Sequence, residues 1–333
     1  MSQLTPLAAL RLLIEEQYPL VPVRDWPLVA LLNKKDAYQK EIKWNVNVGG
    51  AAASGRATDS AGALAASSDT TVPAKLSIGD RVLGHRFDVL RNDIVQARAA
   101  GVGALRNLFG THIQTGFDVV FDGLDQTLYT GTGTAGSHGV YGMEYATDPA
   151  EVSYAGISSA THADWEAYRN DNAGTGRNLS RSLMGTTHAA ILKRGGNYNV
   201  IITSPELVDK YEQQFASEAS TTVNVGPQGA IDMGFGAVTY KGRPIIPDRH
   251  CPAGTMYFVR TNMVYLHTFN LSNSDGNPNM GNVDPRKVGG LNFLVAQLNN
   301  ENPHVMSFEL SLQPQLQIYN RRKDVSVLTD LNQ

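Results

Sequence analysis

The sequence predicts an α+β chain of several lobes, on three observations. Two strictly alternating segments, 41–48 and 71–78, flank a run of small residues. A helical apolar stripe starts near residue 92, and a strand–helix–strand unit occupies residues 197–268. A chain of 333 residues can bury a substantial core and can hold two or three such lobes.

Composition narrows the function classes. Hydrophobic residues make up 42% and charged residues 18%, a low charge content that implies surface covered by other chains. With 28 Lys and Arg against 31 Asp and Glu, the formal net charge is −3, which argues against a dedicated nucleic-acid binder. The single cysteine, Cys251, excludes an intrachain disulfide and a cysteine-rich zinc site. Arg11, Glu15 and Glu16 interrupt the N-terminal apolar residues, so no signal peptide is expected. No run approaches the roughly 18 apolar residues of a membrane span, so no membrane partner is expected.

Residues 1–36 read as an arm. Thr5 and Pro6 can start a short helix with Leu7, Leu10, Leu13 and Ile14 on one side. Pro19, Pro22 and Pro27 then favour an extended path. Such an arm has no core of its own and must lie on another lobe, on another subunit, or on its own domain.

In the first alternating segment, Ile42, Trp44, Val46 and Val48 oppose Glu41, Lys43, Asn45 and Asn47. In the second, Val72, Ala74, Leu76 and Ile78 oppose Thr71, Pro73, Lys75 and Ser77, and Pro73 marks an edge strand or bulge. Between them, 18 of the 22 residues at 49–70 are Gly, Ala, Ser or Thr, which cannot form a core. The pattern predicts a projecting hairpin with a loose tip. An isolated hairpin is marginal in water, so its apolar face needs a partner, either a neighbouring subunit or the rest of its own domain.

Asn92 and Asp93 can cap a long helix carrying Val95, Ala99, Val102, Leu105, Phe109 and Ile113 at spacings of three or four. Gly101 and Gly103 imply close packing or a bend, and the stripe fades near Gly116 before resuming through Val119–Leu124. Residues 130–177 are loop-rich. A second helix reads through Leu179, Leu183, Ala190 and Ile191 and stops at Gly195–Gly196. Tyr198–Thr203 is a short β-rich run, and Ser204–Pro205 supplies a hydroxyl cap and a first-turn proline for the next helix. Strands follow on either side of Lys241–Gly242, then through Met256–Val259 and Met263–Thr268. The tail, VMSFELSLQPQLQIYNRR, is strand-like and is expected to return to the lobe of the long helix.

The order of these parts, with VIITSPELVDKYE, GFGAVTYKGRPIIPD and CPAGTMYFV in the later half, resembles the major capsid proteins of tailed bacteriophages with the Hong-Kong-97-type fold. The resemblance covers almost the whole chain. It implies an N-terminal arm (1–36), an extended β-hairpin loop (37–88), a peripheral domain with a long spine helix (89–148), an axial α/β domain (149–305) and a C-terminal return to the peripheral domain (306–333). It implies self-assembly into pentamers and hexamers of an icosahedral head around double-stranded DNA, bound without sequence specificity. Separate scaffolding, portal and decoration proteins are implied partners. The implied location is the virion, assembled in the bacterial host cytoplasm. Trp44, Val46, Val48, Leu76 and Ile78 become inter-subunit contact candidates, although part of this row can instead pack under the subunit's own spine helix. An encapsulin-like nanocompartment shell shares the fold and is the alternative; a soluble enzyme is a third class.

Enzyme signatures are weak. Gly131, Gly133 and Gly136 form GxGxxG, but a dinucleotide fingerprint needs a strand before it and a helix after it, and SHGVYG follows. No GxxxxGK[ST] phosphate loop or GxSxG elbow occurs. No two of the eight histidines lie closer than 17 positions, so no local metal pair exists. His250 beside Cys251 could form a thiol site, although a turn between strands explains the pair more simply. The expectation is no catalytic residue, no cofactor and no metal.

Overall fold

The computed structural model describes residues 25–49, 70–215, 238–271, 283–298 and 302–332. The predicted arm helix with Leu7, Leu10, Leu13 and Ile14, the prolines at 19 and 22, and most of the small-residue hairpin tip lie outside the described residues.

The described part of the arm packs on its own chain. Pro27 opens a short helix, α1 (Pro27–Leu31), at a position where its missing N–H costs nothing. Leu28 and Val29 are fully buried, and the Trp26 ring lies 5.1 Å from Phe121. The chain then enters β1 (Asn33–Ala37). An extended path was expected through Pro27; a proline at the first helical position turns the chain instead.

β2 (Glu41–Asn47) and β3 (Thr71–Ser77) form the antiparallel hairpin in the register the alternation predicts, with Trp44 opposite Ala74 and Val46 opposite Val72. β4 (Leu83–Leu90) leads directly into the helical region.

The long helix is two helices, α2 (Arg91–Ala100) and α3 (Val102–Thr130). Gly101 separates them with φ +115°, a backbone conformation L side chains rarely adopt; open space surrounds the position where a Cβ would stand, so dihedral freedom is what requires glycine. Asn92 and Asp93 lie inside the first turn, not at the cap, which is Leu90. Asp93 still complements the positive end of the helix dipole. Val95 and Ala99 are exposed, whereas Phe109 and Ile113 are buried. The stripe does not fade at Gly116: it continues through Phe117, Val120, Phe121, Leu124 and Leu128. Gly116 lies on the buried face, where a Cβ would meet His85 and Leu310 at ordinary contact distance.

That face packs on a four-stranded antiparallel sheet ordered β13–β14–β15–β4, where β13 is Val283–Val288, β14 Leu291–Leu298 and β15 Val305–Leu312. Phe117 meets Phe293 edge-on at 5.2 Å, and Phe109 meets Phe308 at 5.5 Å. These are favoured aromatic geometries, contributing about 0.5–1.5 kcal/mol each beyond the area they bury.

After α3 come α4 (Met143–Thr147), the short pair β5 (Ser153–Tyr154) and β6 (Ile157–Ser158), and β7 (Tyr168–Asn170). α5 (Arg181–Lys193) is capped by the Ser180 hydroxyl, which accepts from the Leu183 N–H. β8 (Val200–Thr203) and α6 (Pro205–Phe215) follow as the Ser-Pro signal predicts. β9 (Val238–Tyr240) and β10 (Arg243–Pro247) are joined at Lys241–Gly242, both with positive φ, the turn that suits a twisted two-residue hairpin.

With β11 (Met256–Val259) and β17 (Val325–Leu328) they form a six-stranded sheet ordered β7–β17–β11–β8–β10–β9. Every residue of β8, β11 and β17 is buried, because helices and the main core cover both faces. Alternate residues serve alternate faces. Ile201, Ile245 and Phe258 pack with Met184 of α5 and Leu207 of α6, whereas Ile202, Ile246 and Tyr257 join the core around Tyr129 of α3. A third sheet, β1–β12–β16, pairs β1 in parallel with β12 (Val264–Phe269) and β12 with β16 (Pro314–Ile318).

Strand pairing crosses the expected segment boundaries at two places. β13 and β14 fall within residues 149–305, yet they pair with β15 and face the long helix. Within 306–333, only β15 returns to that helix. β16 joins the three-stranded sheet, and after α7 (Arg321–Asp324) β17 inserts between β7 and β11. A strand reading Val-Ser-Val-Leu, buried on both faces, belongs in the middle of a covered sheet rather than at an edge.

Candidate assembly surface

The hairpin base is fixed from below by backbone and side-chain bonds to its own chain. The Lys75 N–H donates to Ala155 O at 2.9 Å. Gln315 Nε2 donates to Ser77 O at 2.7 Å, and Trp44 Nε1 donates to Tyr319 O at 3.0 Å. Tyr319 returns a bond from its hydroxyl to Asn45 O.

The apolar row of the hairpin therefore faces inward. Val46, Val48, Leu76 and Ile78 are all at most 4% exposed in the single chain. Val46, Val48 and Leu76 enter the main core, and Ile78 packs with Ala37 and Ile42. Within the single chain the row is covered by its own residues, with β3 lying against β16 and β6. Trp44 is the member of the row left half-buried, with its ring partly open.

The outward face carries Glu41, Lys43 and Lys75. Lys43 Nζ lies 2.7 Å and Lys75 Nζ 3.8 Å from the Glu41 carboxylate, and Lys43 foremost holds that carboxyl below its usual range. Such exposed pairs are screened by solvent and add little to stability, and they suit an edge that must not pair indiscriminately.

Apolar side chains left in solvent lie elsewhere. Leu90 and Val95, at the start of α2, are 53% and 60% exposed, and Tyr38, just ahead of β2, is 69% exposed. Spacing alone assigned Val95 to the buried stripe; the usable signal was Gly101, which breaks the helix and rotates α2 relative to α3. Neither Leu90 nor Tyr38 carried any sequence signal.

Where α1, α3 and the turn after β10 meet, the contact is polar. Asp125 is fully buried, accepts the Val29 N–H at 3.2 Å, and faces Asp248, which accepts the Tyr129 hydroxyl at 2.7 Å. Burial, then the adjacent Asp248 carboxylate, pushes the Asp125 pKa up to about 9, so it is a neutral acid at pH 7 that can donate to its neighbour. The bond from the Tyr129 hydroxyl to Asp248 ties α3 to the turn after β10.

The enzyme-like features resolve in the same region. His250 directs Nε2 to Asp122 at 2.9 Å, while the Cys251 sulfur faces the Thr255 carbonyl at 3.6 Å. Burial raises the Cys251 pKa, the opposite of what an activated thiol needs. The GxGxxG glycines follow a helix, α3, and lie in a turn stabilised by the Ser137 hydroxyl. No group of three metal-ligating side chains occurs among the described residues, and no described helix is long and apolar enough to cross a membrane.

A spine-like helix on a four-stranded sheet, a two-sided α/β sheet and a hairpin at the junction together define a shell-building capsid protein of the Hong-Kong-97 type. Comparison with known proteins agrees. The family model of the SU10 major capsid protein matches residues 122–289, about half of the chain. Among solved structures, the Cyanophage A-1(L) capsid asymmetric unit is similar with a TM-score of 0.79 and 28% identity, over 93% of each chain. The SrpI encapsulin of Synechococcus elongatus PCC 7942 has a TM-score of 0.57 at 12% identity, covering 95% of this chain and 91% of that one. The capsid of a native GTA particle has 0.56 at 11%, covering 92% and 90%. These last two show the shared fold alone. No curated protein matches the chain. The chain belongs to the SU10 major capsid protein family and is a phage major capsid protein.

Proposed function

We propose that many copies of this chain close into pentamers and hexamers of an icosahedral head around double-stranded DNA. The observation that carries this reading is likeness to the Cyanophage A-1(L) capsid over nearly the full length of both chains. In this reading the arm is 1–36, the extended loop 37–88, the peripheral domain 89–148 and the axial domain 149–305, with β15 as the returning strand and β17 completing the axial sheet. The protein performs no catalysis and does not enter a membrane. It assembles in the host cytoplasm and resides in the virion, where portal, scaffolding and decoration proteins are separate chains. Trp44, Tyr38, Leu90 and Val95 are the side chains of the hairpin and helix regions offered to neighbours. Repetition of modest interfaces suits a shell, because each contact stays weak enough to correct while the closed network is stable.

Expression of the chain followed by sedimentation and negative-stain microscopy tests the reading. Megadalton shells, or pentameric and hexameric capsomers, are expected; a uniform monomer, dimer or tetramer overturns it.

A further inference from the structure

A cationic cavity lies beside the tip end of the β2–β3 ladder. It has a volume of about 270 Å³ and opens where β2 ends, between the turn at 163–165, the C-terminal cap of α5 and the short helix α7. Its polar lining is Asn47, Asp164, Arg194, Asn320, Arg322 and Lys323. Three cations face one carboxylate, and that carboxylate is already taken: Asp164 pairs with Arg322. Arg194 has only neutral partners, donating to the Glu166 carbonyl at 3.3 Å and lying over the Tyr168 ring at 5.1 Å. Lys323 is exposed. Among the described residues no carboxylate forms an ion pair with Arg194 or Lys323.

We propose that this cavity receives an acidic side chain from a second copy of the chain, fixing the tip end of the hairpin ladder to its neighbour. The proposal rests on the shell reading above. Charge supports it: cations outnumber carboxylates in the recess, Lys323 having only the adjacent, largely buried Asp324 as a charge neighbour, and the Arg194 guanidinium offers the two-pronged geometry that a carboxylate matches. Supply supports it as well. The chain carries 31 Asp and Glu and a net charge of −3, so each adjoining copy brings carboxylates. Shape decides against nucleic acid. A duplex presents one charge per about 1.7 Å along its axis and is gripped by a stripe of cations, whereas these cations are gathered in one side-chain-sized recess. Position supports a contact between copies, because Asn47 and Gly49 of the lining lead into the hairpin tip.

The test uses assembled particles made from a mixture of light and isotopically heavy copies. A water-soluble carbodiimide joins an amine to a carboxylate only when they touch, and mass spectrometry reads the linked peptides. A peptide joining Lys323 of one copy to an Asp or Glu of the other isotope is expected. Lys323 linked only within its own chain overturns the proposal. In parallel, the Arg194→Gln/Lys323→Gln double variant is expected to lower particle yield about tenfold, the effect of a lost charge pair repeated at every contact. Lys323→Gln alone alters an exposed side chain and leaves the melting temperature unchanged, so its smaller loss of yield reads assembly and not folding. Wild-type yield from Lys323→Gln overturns the proposal, as does unchanged assembly accompanied by lost DNA retention, which assigns the cavity to nucleic acid. Failure of the unaltered chain to form shells or capsomers sinks the shell reading itself and is distinguishable from all of these.

Discussion

The β2–β3 hairpin and the two-part helix α2–α3 each carry one regular apolar face, and the chain finishes them differently. At the hairpin, the face is covered by strands and turns far along the sequence, so a segment that looks unfinished by itself is complete within the single chain. At the helix, α3 buries one face from Phe109 to Leu128, whereas α2, set off by Gly101, leaves Val95 in solvent near the exposed Leu90 that ends β4. A periodic apolar row therefore says that a surface will be covered, but not by whom. The side chains open to neighbours are found where the chain changes direction.

The strongest way to break this contrast is at the well-covered end. Phe117→Ala removes a ring packed against Phe121 and Phe293 and is expected to cost about 3–5 kcal/mol of stability, read by chemical denaturation of the unassembled chain. Next, Leu76→Ala at the hairpin base is expected to destabilise the isolated chain by about 2–5 kcal/mol. If it spares the chain and harms only particle yield, the row faces a neighbour after all.

A third prediction sharpens the junction between α3 and the six-stranded sheet. The Asp125 pKa stands near 9 in the folded chain against an ordinary value of 3.8. Below about pH 4 both states hold the proton. Between about pH 4 and pH 9 only the folded chain holds it, so this group makes stability fall as pH rises through that window, by at most about 1.4 kcal/mol per pH unit. Asp125→Asn keeps the acceptor for Val29 and a donor toward Asp248. It is expected to fold and to flatten that slope, as melting curves recorded across the window will read. A slope identical to the wild type would mean that Asp125 is ionised in its site.

The smallest effect on the chain belongs to the exposed end. Val95→Ser is expected to change monomer stability by no more than about 0.5 kcal/mol and to lower particle yield. Unchanged yield would remove α2 from the assembly surface.

Local signals carried much of the fold. The hairpin register followed from strict alternation, α6 from Ser204–Pro205, and the β9–β10 turn from Lys241–Gly242. Gly101 marked the helix break without giving its angle. The partners of strands were not legible, because β15, β16 and β17 go to three different sheets and nothing in their alternation tells one sheet from another. The buried Asp125–Asp248 pair was equally hidden, since residues 123 positions apart carry no common sequence pattern. The cationic cavity was hidden for the same reason: its lining comes from four separate stretches.

The placement of β17 bears on when a copy becomes competent to assemble. The gap between β7 and β11 stays open until residue 328 has emerged from the ribosome. A nascent chain, however well its earlier parts have folded, presents an incomplete sheet to its neighbours. Loss of residues 325–328 would leave the facing edges of β7 and β11 without a partner.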